Sequence, residues 1–526
     1  MTSHFIMSIV STEFTLPASL ALGKVKSTLK QKLNYIDQPG EHLEISCLDS
    51  FDWRLFNKGM SVEAIEQGKS TLLSLRELNS RERLYSETVA GEVDFAWNLP
   101  DGQLKQHLSK KLKMRALVPQ VYLLVKRYPL AGLNKDQKTV SRIILEDFQV
   151  YDPDTDSYKP FQKRIQVIPV RGYPNPHHQA LEFIKGEWDF DKTNKDILIT
   201  ALSALGRKPV DYSTKSNITL TAEMRTDLAT KSLLREMLQL MEANEWGICE
   251  DVDSEFLHDY RVAIRKTRSA FMQIQEIFPQ QELEKHLKNF QWLGSMTSPA
   301  RDMDVYLLKF DDYRRMLPTE LQDQIDPLHN LLEKKKRLAY KALIRTLSTK
   351  RYQNFKAGYY EFLDSAALPT ASEVNAQRPA KTVANERIWK IYKRVMKEGT
   401  AIHDESPAED LHELRITCKK LRYLIEFFQS LYDPKAIKQL ISAMKKLQDN
   451  LGEYNDLHVQ ADKLKEFSVE LKKQKLLSTE TRNAMAMLVE HLEELQTQER
   501  VDFAERFKKF SDKAVRKQFK LLFKPG

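Results

Sequence analysis

The sequence predicts an α+β protein of two parts, a β-rich N-terminal region followed by an all-α remainder, and three observations carry that division. Over the first 185 residues, short β-branched and aromatic runs alternate with Gly- or Pro-containing stretches such as Gln38-Pro39-Gly40 and Asp152-Pro153-Asp154. From about residue 218 good helix formers dominate, and apolar residues recur at three- and four-residue spacing, as in Leu228, Leu233, Leu234, Met237, Leu238 and Met241. Within that region one basic segment is written twice, at 257–271 and again at 411–425. Many short strands with few helices point to an antiparallel sheet or barrel, and a doubled helical segment points to two related bundles packed together.

Taken in order, the candidate strands are Met7–Leu16, His42–Asp49, Ser70–Leu78, Val89–Leu99, Val121–Tyr128, Ser141–Val150 and Lys163–Val170. Two helices interrupt them, at Ser19–Leu33 and near Gly102–Lys113. Gly186-Glu187-Trp188-Asp189-Phe190 breaks the last helix of this region; a short helical piece, Asp196–Leu205, then leads to Pro209 and the polar run Ser213–Asn217. The expected division is 1–185 for the β-rich domain, 186–217 for a linker and 218–526 for the helical domain. The stretch Ala366–Lys381, rich in Ala, Ser, Pro and Thr, separates the helical domain into halves of about 218–365 and 382–526.

The charge is modest for the length: 82 Lys and Arg against 73 Asp and Glu in 526 residues, a formal +9. Residues 1–210 hold 29 basic and 25 acidic side chains, which leaves 53 and 48 for 211–526. The excess is spread over both parts, so an anion site has to come from local placement of charge. Cys47, Cys249 and Cys418 are far apart and form no CxxC pair, which argues against a disulfide framework or a Cys-rich zinc site. No apolar run approaches the ~18 residues of a membrane span, and no secretory signal opens the chain, so a cytoplasmic protein without a membrane partner is expected.

The doubled segment reads Leu257-His258-Asp259-Tyr260-Arg261-Val262-Ala263-Ile264-Arg265-Lys266-Thr267-Arg268 and Leu411-His412-Glu413-Leu414-Arg415-Ile416-Thr417-Cys418-Lys419-Lys420-Leu421-Arg422, a constant offset of 154. With about 100° per residue, positions i, i+3, i+7 and i+10 fall in a stripe about 80° wide. His258, Arg261, Arg265 and Arg268 occupy one such stripe and His412, Arg415, Lys419 and Arg422 the other, with Lys266 and Lys420 beside them. Leu257, Ile264 and Phe271, matched by Leu411, Cys418 and Ile425, form the apolar seam that holds each helix in a core. Like charges at i, i+4 repel, so two copies of the arrangement call for an anionic ligand or for acids within the fold. Leu293-Gly294 and Leu451-Gly452 follow, then Arg301-Asp302-Met303-Asp304 and Asn455-Asp456-Leu457-His458. Asp302 and Asp456 are the expected orienting carboxylates, pairing bidentately with the arginines. Each histidine serves either as a phosphate donor or as a helix-packing residue.

The motif His258-x-x-Arg261-x-x-x-Arg265-Lys266-x-Arg268, repeated from His412, resembles the CHAD domain, a conserved-histidine α-helical domain of two pseudo-symmetric four-helix bundles. Two departures stand out: Lys419 lies opposite Arg265, and His458 replaces the acid at Asp304. The resemblance implies a basic cavity that binds inorganic polyphosphate through His258, Arg261, Arg265, Lys266, Arg268, His412, Arg415, Lys419, Lys420 and Arg422, in the cytoplasm and on polyphosphate granules. Nucleic acid is the last-ranked polyanion, because aromatic stacking partners are not interleaved with the cations.

The N-terminal region resembles a CYTH domain, the triphosphate tunnel fold, on Asp49-Ser50-Phe51-Asp52-Trp53-Arg54-Leu55, Lys58-Gly59, the stretch Tyr122 to Arg127 and Ile143 to Glu146. That resemblance implies an antiparallel barrel-like tunnel and, in an active member, Glu-x-Glu-x-Lys on the first strand to hold Mg²⁺ or Mn²⁺. Here that strand reads Ser11-Thr12-Glu13-Phe14-Thr15; the late strand reads Arg164-Ile165-Gln166-Val167-Ile168, and the strand after Gly59 reads Ser61-Val62-Glu63-Ala64-Ile65. The expectation is a degenerate tunnel, a pseudoenzyme with no catalytic residues, metal site or cofactor. The remaining strand cations, Arg76, Lys126, Arg127, Arg142, Lys163 and Arg164, either hold phosphate or are ordinary surface charges. The alternative is a metal-dependent inorganic triphosphatase in which Glu13 joins Glu44, Glu63 or Glu146 to rebuild a Mg or Mn site. His177 and His178, after Pro174-Asn175-Pro176, are expected in an exposed turn.

Overall fold

The fold comes from a computed structural model that describes residues 11–80, 82–190, 192–193, 195–214, 218–366 and 372–525. The chain separates into two compact units, Met1–Ser213 and Thr214–Gly526.

The first unit is one antiparallel sheet with helices. Its strands are β1 (Thr12–Leu16), β2 (Tyr35–Asp37), β3 (Glu41–Asp49), β4 (Met60–Gln67), β5 (Ser70–Glu77), β6 (Arg83–Ala90), β7 (Val118–Leu133), β8 (Thr139–Asp152) and β9 (Ser157–Pro169). They run in the order β1-β9-β8-β7-β3-β4-β5-β6. β7 is long enough to pair with β8 on one side and with β2 and β3 in succession on the other. The helices are α1 (Leu22–Leu33), α2 (Gln103–Leu112), α3 (Pro174–Trp188) and α4 (Ile197–Ala204).

Alternation places the core. Inward residues of β8 and β9, such as Ile143, Leu145, Ile165 and Val167, pack with Val25 and Leu29 of α1 and Ala180 and Ile184 of α3. The β3–β4 corner is locked by the buried Asp49, whose carboxylate accepts hydrogen bonds from the backbone N–H of Ser50 (2.6 Å), Leu55 (2.9 Å) and Phe56 (2.8 Å). Burial pushes its carboxyl up to about 7 against those bonds.

Three expectations change here. The strand expected at Val89–Leu99 lies earlier, at Arg83–Ala90, because it is a polar edge strand whose only buried side chain is Val89. Its downstream apolar residues form a short turn in which Phe95 stacks on Trp97, ring centroids 4.3 Å apart. His177 and His178 lie within α3 rather than a turn, since Pro174 and Pro176 sit in its first turn, where a missing N–H costs nothing. The stretch expected as linker includes α4, and its Ile197, Leu198, Ala201 and Leu202 are buried against Ile45, Cys47, Leu123, Val125 and Phe148. A segment so apolar belongs to the sheet's core; residues 215–217 of the polar run lie outside the described residues.

The second unit is all-α. Its first half contains α5 (Thr226–Cys249), α6 (Ser254–Gln273), α7 (Gln280–Leu308), the short α8 (Phe310–Arg315), α9 (Asp326–Leu347) and α10 (Lys350–Asp364). Its second contains α11 (Ala380–Ala401), α12 (Ala408–Phe428), α13 (Pro434–Lys473), α14 (Thr479–Phe510) and α15 (Lys513–Phe523). The starts of the first three helices of each half correspond, 226 to 380, 254 to 408 and 280 to 434, so the sequence offset of 154 is also the structural one; the next pair, 326 and 479, differs by 153. α6 begins at Asp253, whose side chain accepts from the N–H groups of Glu255 and Phe256; α13 begins at Asp433 with Pro434 in its first turn. The halves share a core: Met303, Tyr306, Tyr313 and Leu328 of the first pack with Leu457, Leu464, Leu488 and Leu492 of the second. Tyr313 donates across that seam to Gln460 at 2.7 Å. α5 and α6 approach so closely at Gly247 that a Cβ there would stand 2.2 Å from the Phe256 ring.

Candidate anion-binding site

The two copies of the basic segment are α6 and α12, and these helices pack against each other. Leu257, Ile264, Phe271, Leu411, Cys418 and Ile425 are each 2% exposed or less, so the apolar seam anchors both helices in the core. That anchoring fixes the rotation of each helix about its axis and hence the direction of its basic stripe.

The cations divide into those held by the protein and those left to solvent. Arg261 is turned back onto α7, where one guanidinium nitrogen donates to the Gly294 carbonyl (3.0 Å), Thr297 Oγ1 (2.6 Å) and Ser298 Oγ (3.1 Å). Burial, then repulsion by Arg265, pulls its guanidinium down to about 10. The equivalents of Thr297 and Ser298 in the second half are Leu451 and Gly452, which offer no hydroxyl. Arg415 turns instead to Asp456, at 3.0 Å. Arg422 donates to Gln448 at 3.0 Å and pairs with Glu426 at 2.9 Å. Glu426 also reaches Lys266 of α6 at 3.3 Å, so one carboxylate ties the two basic helices together.

Arg265, Arg268, Lys419 and Lys420 have no carboxylate within 4.0 Å among the described residues. Arg268 lies beside Gly294, where a Cβ would come within 3.6 Å of its guanidinium. Lys419 is half-buried, and burial followed by repulsion from Arg415 and Arg265 pulls its ammonium down to about 8. Since Arg265 is on α6 and Lys419 on α12, that repulsion joins the two stripes into one positive field. Eight cations from the two helices meet three carboxylates, Asp302, Asp456 and Glu426, which leaves a local surplus of positive charge.

The orienting carboxylates differ from expectation. Asp456 makes a single contact with Arg415, through one oxygen, and not a bidentate pair. Asp302 acts on Arg261 through its charge, while the hydroxyls and carbonyl on α7 hold one terminal nitrogen of that guanidinium. The residues just before them hold the histidines: Arg301 donates to His258 Nδ1 at 3.0 Å, and Asn455 Oδ1 stands 2.6 Å from His412 Nδ1. A guanidinium has only donors, so His258 accepts on Nδ1 and carries its proton on Nε2; Asn455 Oδ1 accepts, so His412 donates from Nδ1. Asp304, opposite the exposed His458, is buried and accepts from Tyr340 at 2.8 Å; burial pushes its carboxyl up to about 6.

Glu426, Thr297 and Ser298 were not among the residues singled out from the sequence; Gly294, Arg301 and Asn455 stood in the matched segments but were given no role. Glu426 had a readable signal, its i, i+4 spacing from Arg422. The α7 acceptors had none: the Gly294 carbonyl carries no sequence mark, and the Thr297 and Ser298 hydroxyls have no counterpart in the second copy.

The sheet unit places its charges differently. Arg127, Glu146 and Arg164 are direct cross-strand neighbours on β7, β8 and β9. Glu146 pairs with Arg127 at 2.7 Å, Glu13 with Arg164 at 3.2 Å, and Glu63 with Arg76. Glu44 is exposed on β3. A divalent cation needs several carboxylate oxygens converging on it; here Glu13, Glu63 and Glu146 each engage a different guanidinium. Among the described residues no group of three or more His, Cys, Asp or Glu is placed to share an ion. The residues present do not fit Mg²⁺ or Mn²⁺. Of the remaining strand cations, Lys163 donates to the carbonyls of Ala18 and Leu20, and Lys126 and Arg142 are exposed.

No helix among the described residues is long and apolar enough to cross a membrane. Comparison with curated proteins returns no match. Among solved structures, the CHAD domain from the plant Ricinus communis aligns at 23% identity over 59% of this chain and 97% of its own, with a TM-score of 0.47. PptA from Streptomyces chartreusis aligns at 13% identity over 54% and 100%, with a TM-score of 0.43. A Hippeastrum protein described as an adenylyl cyclase with a dominant triphosphatase activity aligns at 10% identity over 39% and 99%, with a TM-score of 0.25. The family model of the CHAD domain matches residues 232–465, which hold both basic helices and the segments that brace them, and that stretch of the helical unit is a CHAD domain.

Proposed function

We propose that this CHAD domain binds inorganic polyphosphate on the joined stripes of α6 and α12, without catalysis. The observation that carries the reading is that Lys419 of α12 lies in the field of Arg265, Arg415 and Arg422, opposed by Asp456 alone, and that among the described residues neither Arg265 nor Lys419 has a carboxylate within 4.0 Å. Packing a lysine among arginines is costly for the free protein, and a polyanion offsets that cost by supplying negative charge where the fold withholds it. Arginine forks bind phosphate oxygens in pairs and lysine binds them as a point charge. Location in the cytoplasm and on polyphosphate granules belongs to the same proposal.

Binding through counterion release makes affinity fall steeply with salt. Titration of the full chain with long-chain polyphosphate over a range of NaCl concentrations tests this; a flat salt dependence overturns it. Among the described residues Tyr260, Phe271 and Tyr423, the aromatics within the two basic segments, are buried, which ranks single-stranded RNA below polyphosphate. The paired Glu13, Glu63 and Glu146 argue against a metal-dependent triphosphatase in the sheet unit. Release of phosphate from tripolyphosphate with Mg²⁺ or Mn²⁺, lost in Glu13→Gln, would reverse that part of the reading.

A further inference from the structure

The two halves of the helical unit match in their helices but not, at one place, in their charges. Lys266 of α6 pairs with Glu426 of α12 at 3.3 Å. The offset of 154 turns that pair into Lys420 and Met272, so the second lysine meets a thioether where the first meets a carboxylate. Lys420 and Met272 line one cavity of about 750 Å³, formed by the end of α6, the start of α7, and α11 and α12. α11 contributes Arg387, Lys390 and Arg394 to it, spaced i, i+3 and i+7 on one stripe. On α5 the same offset gives Leu233, Glu236 and Leu240. The equivalent positions thus carry Lys266, Glu426 and Glu236 in one half (one cation and two acids) and Lys420, Met272 and Lys390 in the other (two cations and no acid).

The cavity's charges are not all available. Arg387 donates to Gln275 at 2.9 Å and pairs with Glu276 at 3.5 Å, and Arg394 pairs with Glu398. Lys390 is exposed and Lys420 half-buried, and among the described residues neither has a carboxylate within 4.0 Å. Lys420 belongs both to the basic segment of α12 and to this cavity, so the joined stripe opens there toward α11.

We propose that bound polyphosphate leaves the joined stripe on one side only, past Lys420 and into this cavity, where Lys390 takes a further phosphate. The inference rests on reading α6 and α12 as an anion site, and it gives that site a direction. The pseudo-symmetric exit carries Glu426 and Glu236, whose charges repel a polyanion. A chain long enough to reach Lys390 gains a contact that a short chain held on the stripe lacks, so affinity rises with chain length.

The test measures affinity of the full chain for tripolyphosphate and for long-chain polyphosphate over a range of NaCl concentrations. Lys390→Gln is expected to weaken long-chain binding ~2- to 5-fold, the range of one exposed charge contact, and to make its salt slope shallower by ~0.7–0.9, with a smaller loss for tripolyphosphate. Met272→Glu, at a side chain 41% exposed, installs the carboxylate that Lys266 already has and is expected to weaken long-chain binding as well. An equal loss with both ligands in Lys390→Gln overturns the inference, because Lys390 would then act through its general field and not as a contact for longer chains. If long-chain polyphosphate binds the wild type and both variants alike, the directed path fails and the anion-site reading stands. If the wild type binds neither ligand, the anion-site reading fails and the path with it.

Discussion

Polyphosphate binding at pH 8 should take up protons through Lys419, and the structure sets the size of the effect. Burial and the repulsion of Arg415 and Arg265 hold its ammonium at about 8 in place of the ordinary 10.5. At pH 8 about half the molecules therefore carry Lys419 neutral, and at pH 6.5 only ~3% do. A bound phosphate supplies the missing negative charge, returns the amine toward its ordinary value and draws ~0.5 proton per site at pH 8, falling to nearly none at pH 6.5. The two values bound the energy of recharging at ~3 kcal/mol, and the partial exposure of the amine lowers that figure. Affinity should fall as pH rises above about 8. The same shift has a consequence for the free protein: from about 8 to 10.5 the folded chain binds fewer protons at Lys419 than the unfolded chain, so this residue makes stability rise with pH across that window. Isothermal titration calorimetry in two buffers of different ionisation enthalpy reads the proton count directly. Subtracting the Lys419→Arg variant, whose side chain stays charged, removes the titration of polyphosphate itself. Equal proton uptake by the two proteins at pH 8 would refute the reasoning.

Two further outcomes follow from the same geometry. Glu426→Gln removes the carboxylate shared by Lys266 and Arg422, so it should raise polyphosphate affinity severalfold at low salt while lowering stability by ~1 kcal/mol; weaker binding in a folded variant would mean that Glu426 positions the cations more than it neutralises them. Gly247→Ala places a Cβ 2.2 Å from the buried Phe256 ring and should cost ~1–3 kcal/mol of stability, only partly offset by the better helix propensity of alanine. Denaturant unfolding of the full chain reads this, and a variant as stable as wild type would show that α5 and α6 can separate there freely.

The architecture of the helical unit was legible because the repeat is written in the sequence. The His-x-x-Arg segments fixed an offset of 154, and α5, α6 and α7 recur at that offset as α11, α12 and α13. The period of the apolar seam likewise marked which face of each basic helix is buried. The sheet was less legible where a strand sits at an edge: β6 alternates in burial at Tyr85, Glu87 and Val89, but Glu87 is polar and only Val89 is fully buried, so the apolar run after it drew the strand assignment downstream. α4 was mistaken for linker because it is short, although its composition is that of a core segment.

The candidate site divides in the same way. Which residues are basic, and that two stripes exist, can be read from spacing. Which cations the fold itself satisfies cannot, because Arg261 is held largely by a carbonyl and hydroxyls on α7, and Glu426 serves two helices at once. The matched Arg301 and Asn455 stood beside the aspartates, and the nearer charge drew attention from the hydrogen bonds that orient His258 and His412. Chemical type at one position therefore concealed a different role at the next.

The central claim is that the two stripes form one polyanion site. It is tested most directly by replacing Arg261, Arg265, Arg415 and Lys419 with Ala together in the full chain and measuring affinity for long-chain polyphosphate, with circular dichroism confirming retained helix content. Loss of binding in the folded variant is the predicted result, and unchanged affinity would contradict it.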